Sequence, residues 1–228
     1  MKPTRLLAAA ALLLSACRNF EDTPLKRAAA AGDVAQVQAL LAAGTPADEP
    51  AHPRATALMI AARRGQVEVM RALIAAGADV DRRDRAVNGW TPLVHALHKG
   101  QNAAARLLLD CGAHPDVKLG GGATALMFAA AYGNAEMVRE LLARGADPRA
   151  QAHGGVTALS NALGAGGIFD FSDGPAVGTC HLETVQALVA AAPDLQVPQT
   201  FTNRLASRFA RSEKCRQAYA LVKGARRS

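Results

Sequence analysis

The side chains of this chain that could do chemistry are few, and their spacing suits it poorly. His95 and His98 stand three residues apart, so two imidazoles on one helix could share a metal ion. A metal site needs further ligands and an outer shell to orient them. No Cys or carboxylate stands beside this pair in the pattern, so no metal is expected. Asp170, Ser172 and Asp173 place oxygens around a Gly turn, but the stretch lacks the length and the closing Glu of a calcium loop. A turn with Asp in capping roles is the simpler reading. Ser160 and Ser172 lie in no nucleophile elbow, and no Ser/His/Asp or Cys/His set shares a local frame. Gly120, Gly121 and Gly122 make a hairpin tip, not a phosphate cradle opening a helix. The expectation is therefore no enzyme, no cofactor and no small-molecule substrate. Cys17, Cys111, Cys180 and Cys215 take their meaning from the elements that hold them.

Those elements are organised by residues 124–151. Thr124 opens a small-residue helix carrying Leu126, Ala129 and Ala130. Gly133 breaks it, a second helix carries Val138, Leu141 and Leu142, and Gly145-Ala146-Asp147 closes the unit. Helices this short, with one apolar stripe each, are marginal alone and must bury that stripe against neighbours of the same kind. The same frame starts at Thr23, Thr56, Thr91, Thr124 and Thr157, at spacings of 33, 35, 33 and 33 residues. Leu follows two positions on, Ala five and Gly nine in every copy: Leu25, Ala28 and Gly32 in the first, Leu159, Ala162 and Gly166 in the last. The Ala lets adjacent helices approach closely. The Gly allows a chain reversal at positive φ, and the Thr hydroxyl can cap the first helix. Pro24 and Pro92 stand at the first helical position, where a missing N–H is harmless.

This register resembles the ankyrin repeat, whose T-P-L-H-x-A signature recurs about every 33 residues. Gly77-Ala78-Asp79, Gly112-Ala113-His114 and Gly145-Ala146-Asp147 resemble that family's end-of-repeat turn, and the likeness covers residues 23–195. It implies an all-α ankyrin-repeat solenoid of about five helix-turn-helix repeats. A degenerate C-terminal capping helix pair is expected over 203–223, with Phe201, Leu205 and Phe209 covering the open end. The fifth repeat carries an insertion at about 167–180. Cys180 and Cys215 both fall just before the second helix of adjacent units, which leaves two readings open: a disulfide pinning the insertion to the cap, or two buried thiols. Cys111, beside Gly112, reads as a small packed residue.

The resemblance also implies where a partner binds: the hairpin tips and the exposed, concave side of the first helices. These places fall four, seven and eight residues after each Thr, plus the tip before it. They hold the basic residues Arg63, Arg64, Arg83, Arg85 and Lys99, and the imidazoles His95, His98 and His153. They also hold Trp90, Phe128, Tyr132, Ile60 and Asn161. Trp, Tyr and Arg are the types enriched at binding hot spots. Phe128 and Ile60 equally suit packing between repeats, whereas the frame asks for nothing large at Trp90, Tyr132 or Arg83.

Residues 1–16 read as a leader. Lys2 and Arg5 precede an apolar run from Leu6 to Ala16, too short to span a bilayer as a helix. The run ends Leu14-Ser15-Ala16-Cys17, which resembles the bacterial lipobox. That implies a lipid on Cys17, a tether over 17–22, and a periplasm-facing lipoprotein of a Gram-negative cell. Arg18 after the Cys favours the outer membrane in that family. Several acyl chains on one Cys would anchor firmly.

Charge is uneven. The chain's formal +7 falls to +5 without Lys2 and Arg5. Residues 196–228 alone carry +7, from eight basic residues against Glu213, which leaves −2 for 17–195. The C-terminal cap thus accounts for the basic pI, as a solvated face or as a contact for anionic lipid or an acidic partner. Nucleic acid is not expected of an exported protein. The function these features imply is a membrane-anchored protein-interaction module that binds a partner with an acidic surface. More specific roles also fit: immunity against an exported toxic enzyme, support of a periplasmic enzyme such as one in oxidative defence, or a structural envelope protein contacting lipid.

Overall fold

The computed structural model describes residues 23–49, 55–84, 89–164, 180–197 and 212–224. Every repeat-opening Thr stands at the N-cap of a helix. These first helices are α1 (Pro24–Ala31), α3 (Ala57–Arg64), α5 (Pro92–His98), α7 (Ala125–Ala131) and α9 (Ala158–Ala162). Each is followed by a second helix: α2 (Val34–Ala42), α4 (Val67–Ala75), α6 (Asn102–Asp110), α8 (Ala135–Ala143) and α10 (Leu182–Ala191). A last helix, α11 (Glu213–Gly224), packs on α10.

Capping is less uniform than the repeated Thr suggests. The hydroxyls of Thr23, Thr56 and Thr157 accept from the backbone N–H three residues on, at 3.3, 3.2 and 3.1 Å. Thr91 and Thr124 make no such bond, and the Thr124 hydroxyl is buried without a partner. At Thr91 the following proline, with φ fixed near the helical value, supplies the start instead.

The first helices stack in series, α1 on α3 on α5 on α7 on α9. Alanine makes the stack tight. Ala28, Ala61, Ala96, Ala129 and Ala162 are at most 1% exposed, and the Leu three positions earlier in each copy is buried beside them. At the helix-to-helix turn Gly133 adopts φ +67, and a Cβ there would come 2.6 Å from Cγ of His181, the residue that precedes α10. Gly65 meets the Gln101 side chain of the next unit in the same way. Glycine is thus required twice at these turns, for its left-handed backbone and for the approach of the next repeat. Gly166, which the frame nominates in the fifth copy, lies outside the described residues; Gly164 is the positive-φ residue after α9.

The hairpin tips are tied by carboxylates reaching one repeat ahead. Asp48 accepts from Asp79 N–H at 2.8 Å, Asp81 from His114 N–H at 3.1 Å, and Asp116 from Asp147 N–H at 2.9 Å. Charge-assisted bonds of this kind fix the tips that flank the open face.

At the C-terminal end Cys180 and Cys215 form a disulfide, with Cα atoms 5.2 Å apart, and both residues are buried. Of the two readings left open by the sequence, the structure has the bond. Cys111 departs from expectation: it is a free, exposed thiol, because it caps α6 on the outer side. The expected insertion, apart from Cys180, lies outside the described residues. So do Cys17, Arg85, the end-covering Phe201, Leu205 and Phe209, and the first helix of the expected cap pair.

Candidate interaction surface

The open side of the stack is formed by residues in the last turns of α1 and α3 and by Lys99 and Tyr132 after α5 and α7, whereas α5, α7 and α9 themselves are buried along their whole length. Along that open side, repeats one to three line a groove of about 960 Å³. Its walls are Lys26, Arg27, Arg63, Arg64 and Lys99, and its floor includes Ala30, Ala31 and Ile60. Among the described residues no carboxylate lines it. Arg63 and Arg64 are exposed in the last turn of α3, where the helix dipole favours cations. Lys99 is half-buried at the end of α5. A smaller concavity of about 380 Å³ adjoins through Lys99 and is lined by His98, Tyr132 and Asn134. Arg83 and His153 are exposed in the tips before repeats three and five.

Five of the residues expected on this surface are instead buried, at 5% exposure or less: Trp90, His95, His98, Phe128 and Asn161. The cause is a polar cluster at the base of the third hairpin tip. Asp84 Oδ1 accepts from Trp90 N–H at 3.1 Å, and Asp84 N–H donates to the Trp90 carbonyl at 2.9 Å. Asp84 Oδ2 lies 2.8 Å from His95 Nε2, and since a carboxylate only accepts, Nε2 carries the proton. This closes the tip onto α5 and folds the indole inward. There it meets Phe128 edge-on at 5.1 Å, and His95 and His98 at 5.4 and 5.2 Å. Such edge contacts between rings are favourable beyond area burial. Asn161 is used in the same way: its amide donates to the Met127 carbonyl of the preceding repeat at 3.1 Å. Trp90, His95 and Asn161 therefore position the surface without forming it. Phe128 takes the packing role that its column equally suited.

Tyr132 keeps one foot in each set. Its hydroxyl is 2.7 Å from His98 Nδ1, while the residue remains half-exposed on the open side. His181, half-buried where α10 meets α7, lies 3.1 Å from the Ala131 carbonyl through Nε2, and burial pushes its imidazole below the ordinary histidine range.

Reading the sequence missed Asp84, Lys26 and Arg27. The offset of four after Thr23 does select Arg27. Asp84 carries no signal beyond being an acid in a lengthened tip. Among the described residues, no three His, Cys, Asp or Glu side chains gather to hold a metal, and no helix is long and apolar enough to cross a membrane.

A family model described as ankyrin repeats matches the chain in three overlapping copies, over residues 5–84, 25–119 and 81–152, which together cover more than half of it. No curated protein matches the chain.

Proposed function

Because the chain belongs to the ankyrin-repeat family and is on that ground a protein-interaction module, we propose that it recognises its partner along the open side of its first helices. Recognition is non-covalent. A rigid stack presents a strip that its core does not use, and one observation carries the reading. Arg63, Arg64, Lys99 and Tyr132 stand at the seventh and eighth positions after their Thr in successive repeats, and all retain solvent exposure. Arg and Tyr are hot-spot types, and the cations select a partner whose facing surface is acidic. Arg83 and His153 extend the strip to the tips.

The protein works in the periplasm, held at the outer membrane by lipid on Cys17. The Leu14-Ser15-Ala16-Cys17 sequence supports the anchor. The Cys180–Cys215 bond supports an oxidising compartment. Two experiments test this. The tagged native chain is used to capture partners from the envelope fraction of its own cells, beside Tyr132→Ala and Arg83→Ala variants. A partner held by the native chain and lost by Tyr132→Ala is expected. Unchanged capture by both variants would remove the open side from consideration. For the anchor, Cys17→Ala should abolish incorporation of labelled fatty acid and release the protein from membranes. Membrane retention of that variant would refute the lipid.

A further inference from the structure

Several arginines elsewhere on the stack have carboxylate partners. Arg71 pairs with Glu68, Arg106 with Glu136, Arg144 with Asp110 and Glu140, and Arg149 with Asp194. Among the described residues Arg63, Arg64 and Lys99 have no carboxylate partner, although they share one concavity with no acid in its lining. Three cations thus share one concavity, offset there by the partial negative charge of the helix C-termini and by no carboxylate among the described residues. Such a cluster marks a place where opposite charge arrives from outside.

Two further features narrow what arrives. The groove lies along the last turns of α1, α3 and α5: Ala30 and Ala31 end α1, Arg63 and Arg64 end α3, and Lys99 caps α5. Helix C-termini point carbonyl groups outward and carry partial negative charge. One helix start is also present, since Gln101, the N-cap of α6, lines the groove beside Lys99. Apart from Gln101 the uncharged lining is apolar, made by Ala30, Ala31 and the half-buried Ile60. Planar guanidinium groups match carboxylates in a two-pronged fashion.

We propose that this groove is a docking site for an acidic segment of a partner protein that carries an apolar side chain between its carboxylates. The carboxylates pair with Arg63, Arg64 and Lys99, and the apolar side chain lies on Ile60 and the two alanines. The proposal rests on the recognition reading above and assigns its charge-selective part to repeats one to three.

The test uses the full chain and a short fluorescent peptide repeating Glu-Glu-Leu, with oligothymidylate of equal charge as competitor. The native protein should bind the peptide, more weakly as salt rises. Arg63→Glu/Arg64→Glu should weaken binding by roughly tenfold or more, since two exposed pairs are lost and replaced by repulsion. Ile60→Asn, which keeps the cations, should weaken it as well. Lys214→Glu, at an exposed position of α11, should not. Circular dichroism confirms that the variants fold. Peptide binding that survives the double reversal overturns the proposal, as does an oligothymidylate that binds as tightly as the peptide. If the peptide fails to bind while Tyr132→Ala still loses the captured partner, the groove is wrong and recognition stands. If neither responds, both fall.

Discussion

Replacing Asp84 with Ala should unlock the third hairpin tip. The carboxylate is 1% exposed, and it holds two buried partners, Trp90 N–H at 3.1 Å and His95 Nε2 at 2.8 Å. Alanine removes both bonds and leaves both donors in place, inside a cluster where Trp90 and His95 are each 5% exposed. A hydrogen bond to a charged group contributes about 1.5–3 kcal/mol, most of it felt as the penalty of the orphaned donor. Alanine orphans two such buried donors at once. The two together give an expected loss of about 3–6 kcal/mol. With a urea slope of about 2–3 kcal/mol per M for a chain of this size, the unfolding midpoint should fall by about 1–3 M. The assay is urea unfolding followed by circular dichroism and by the emission of Trp90, the only tryptophan. Trp90 emission should shift to the red before helical signal is lost, because stability in a repeat stack is a sum of local terms. Asp84→Asn keeps an acceptor for Trp90 N–H and should cost only about 1–2 kcal/mol. His95→Ala should cost much less in the Asp84→Ala background than alone. An Asp84→Ala protein with an unmoved midpoint and native Trp90 emission would refute the idea that this carboxylate closes the tip.

Other consequences can be measured on the same protein. The Cys180–Cys215 bond closes a loop of 35 residues, so reduction or Cys180→Ser should lower stability by about 4 kcal/mol on the chain-entropy relation, seen as a lower urea midpoint with reductant. Identical curves with and without reductant would contradict this. His181 is held below its ordinary value by burial, so the unfolded chain binds that proton at higher pH than the folded one. The stability this neutral His contributes is complete above about pH 6.5 and declines as pH falls from there through the depressed folded value. His181→Gln should flatten that part of the stability profile. The decline at more acidic pH should remain, because there Glu136 and Asp194 are protonated. Their carboxyls are held low by hydrogen bonds from Arg106 and Asn102, and from Arg149.

The repeat, its period and its helices were legible in the residues because they depend on short-range physics. A Thr that can start a helix, an Ala that lets a neighbour approach and a Gly that can adopt φ +67 each act within a few positions of themselves. The frame therefore located the start of every first helix from Thr23 to Thr157. It also marked Arg63, Arg64 and Tyr132 as residues left over by the core, and the structure leaves them exposed or half-exposed. Burial of the next set was decided elsewhere. Whether Trp90 faces solvent depends on Asp84 across a lengthened tip, and the fate of His98 and Asn161 depends on Tyr132 and Met127, each 34 residues away. Periodicity names a position within its own repeat and says nothing about what the neighbouring repeat lays over it. The same holds for Cys180 and Cys215, whose pairing follows from α11 packing on α10. It holds too for which arginines find a carboxylate partner, as Arg106, Arg144 and Arg149 do. Pairing is a matter of distance in space, and only the stacked helices set those distances.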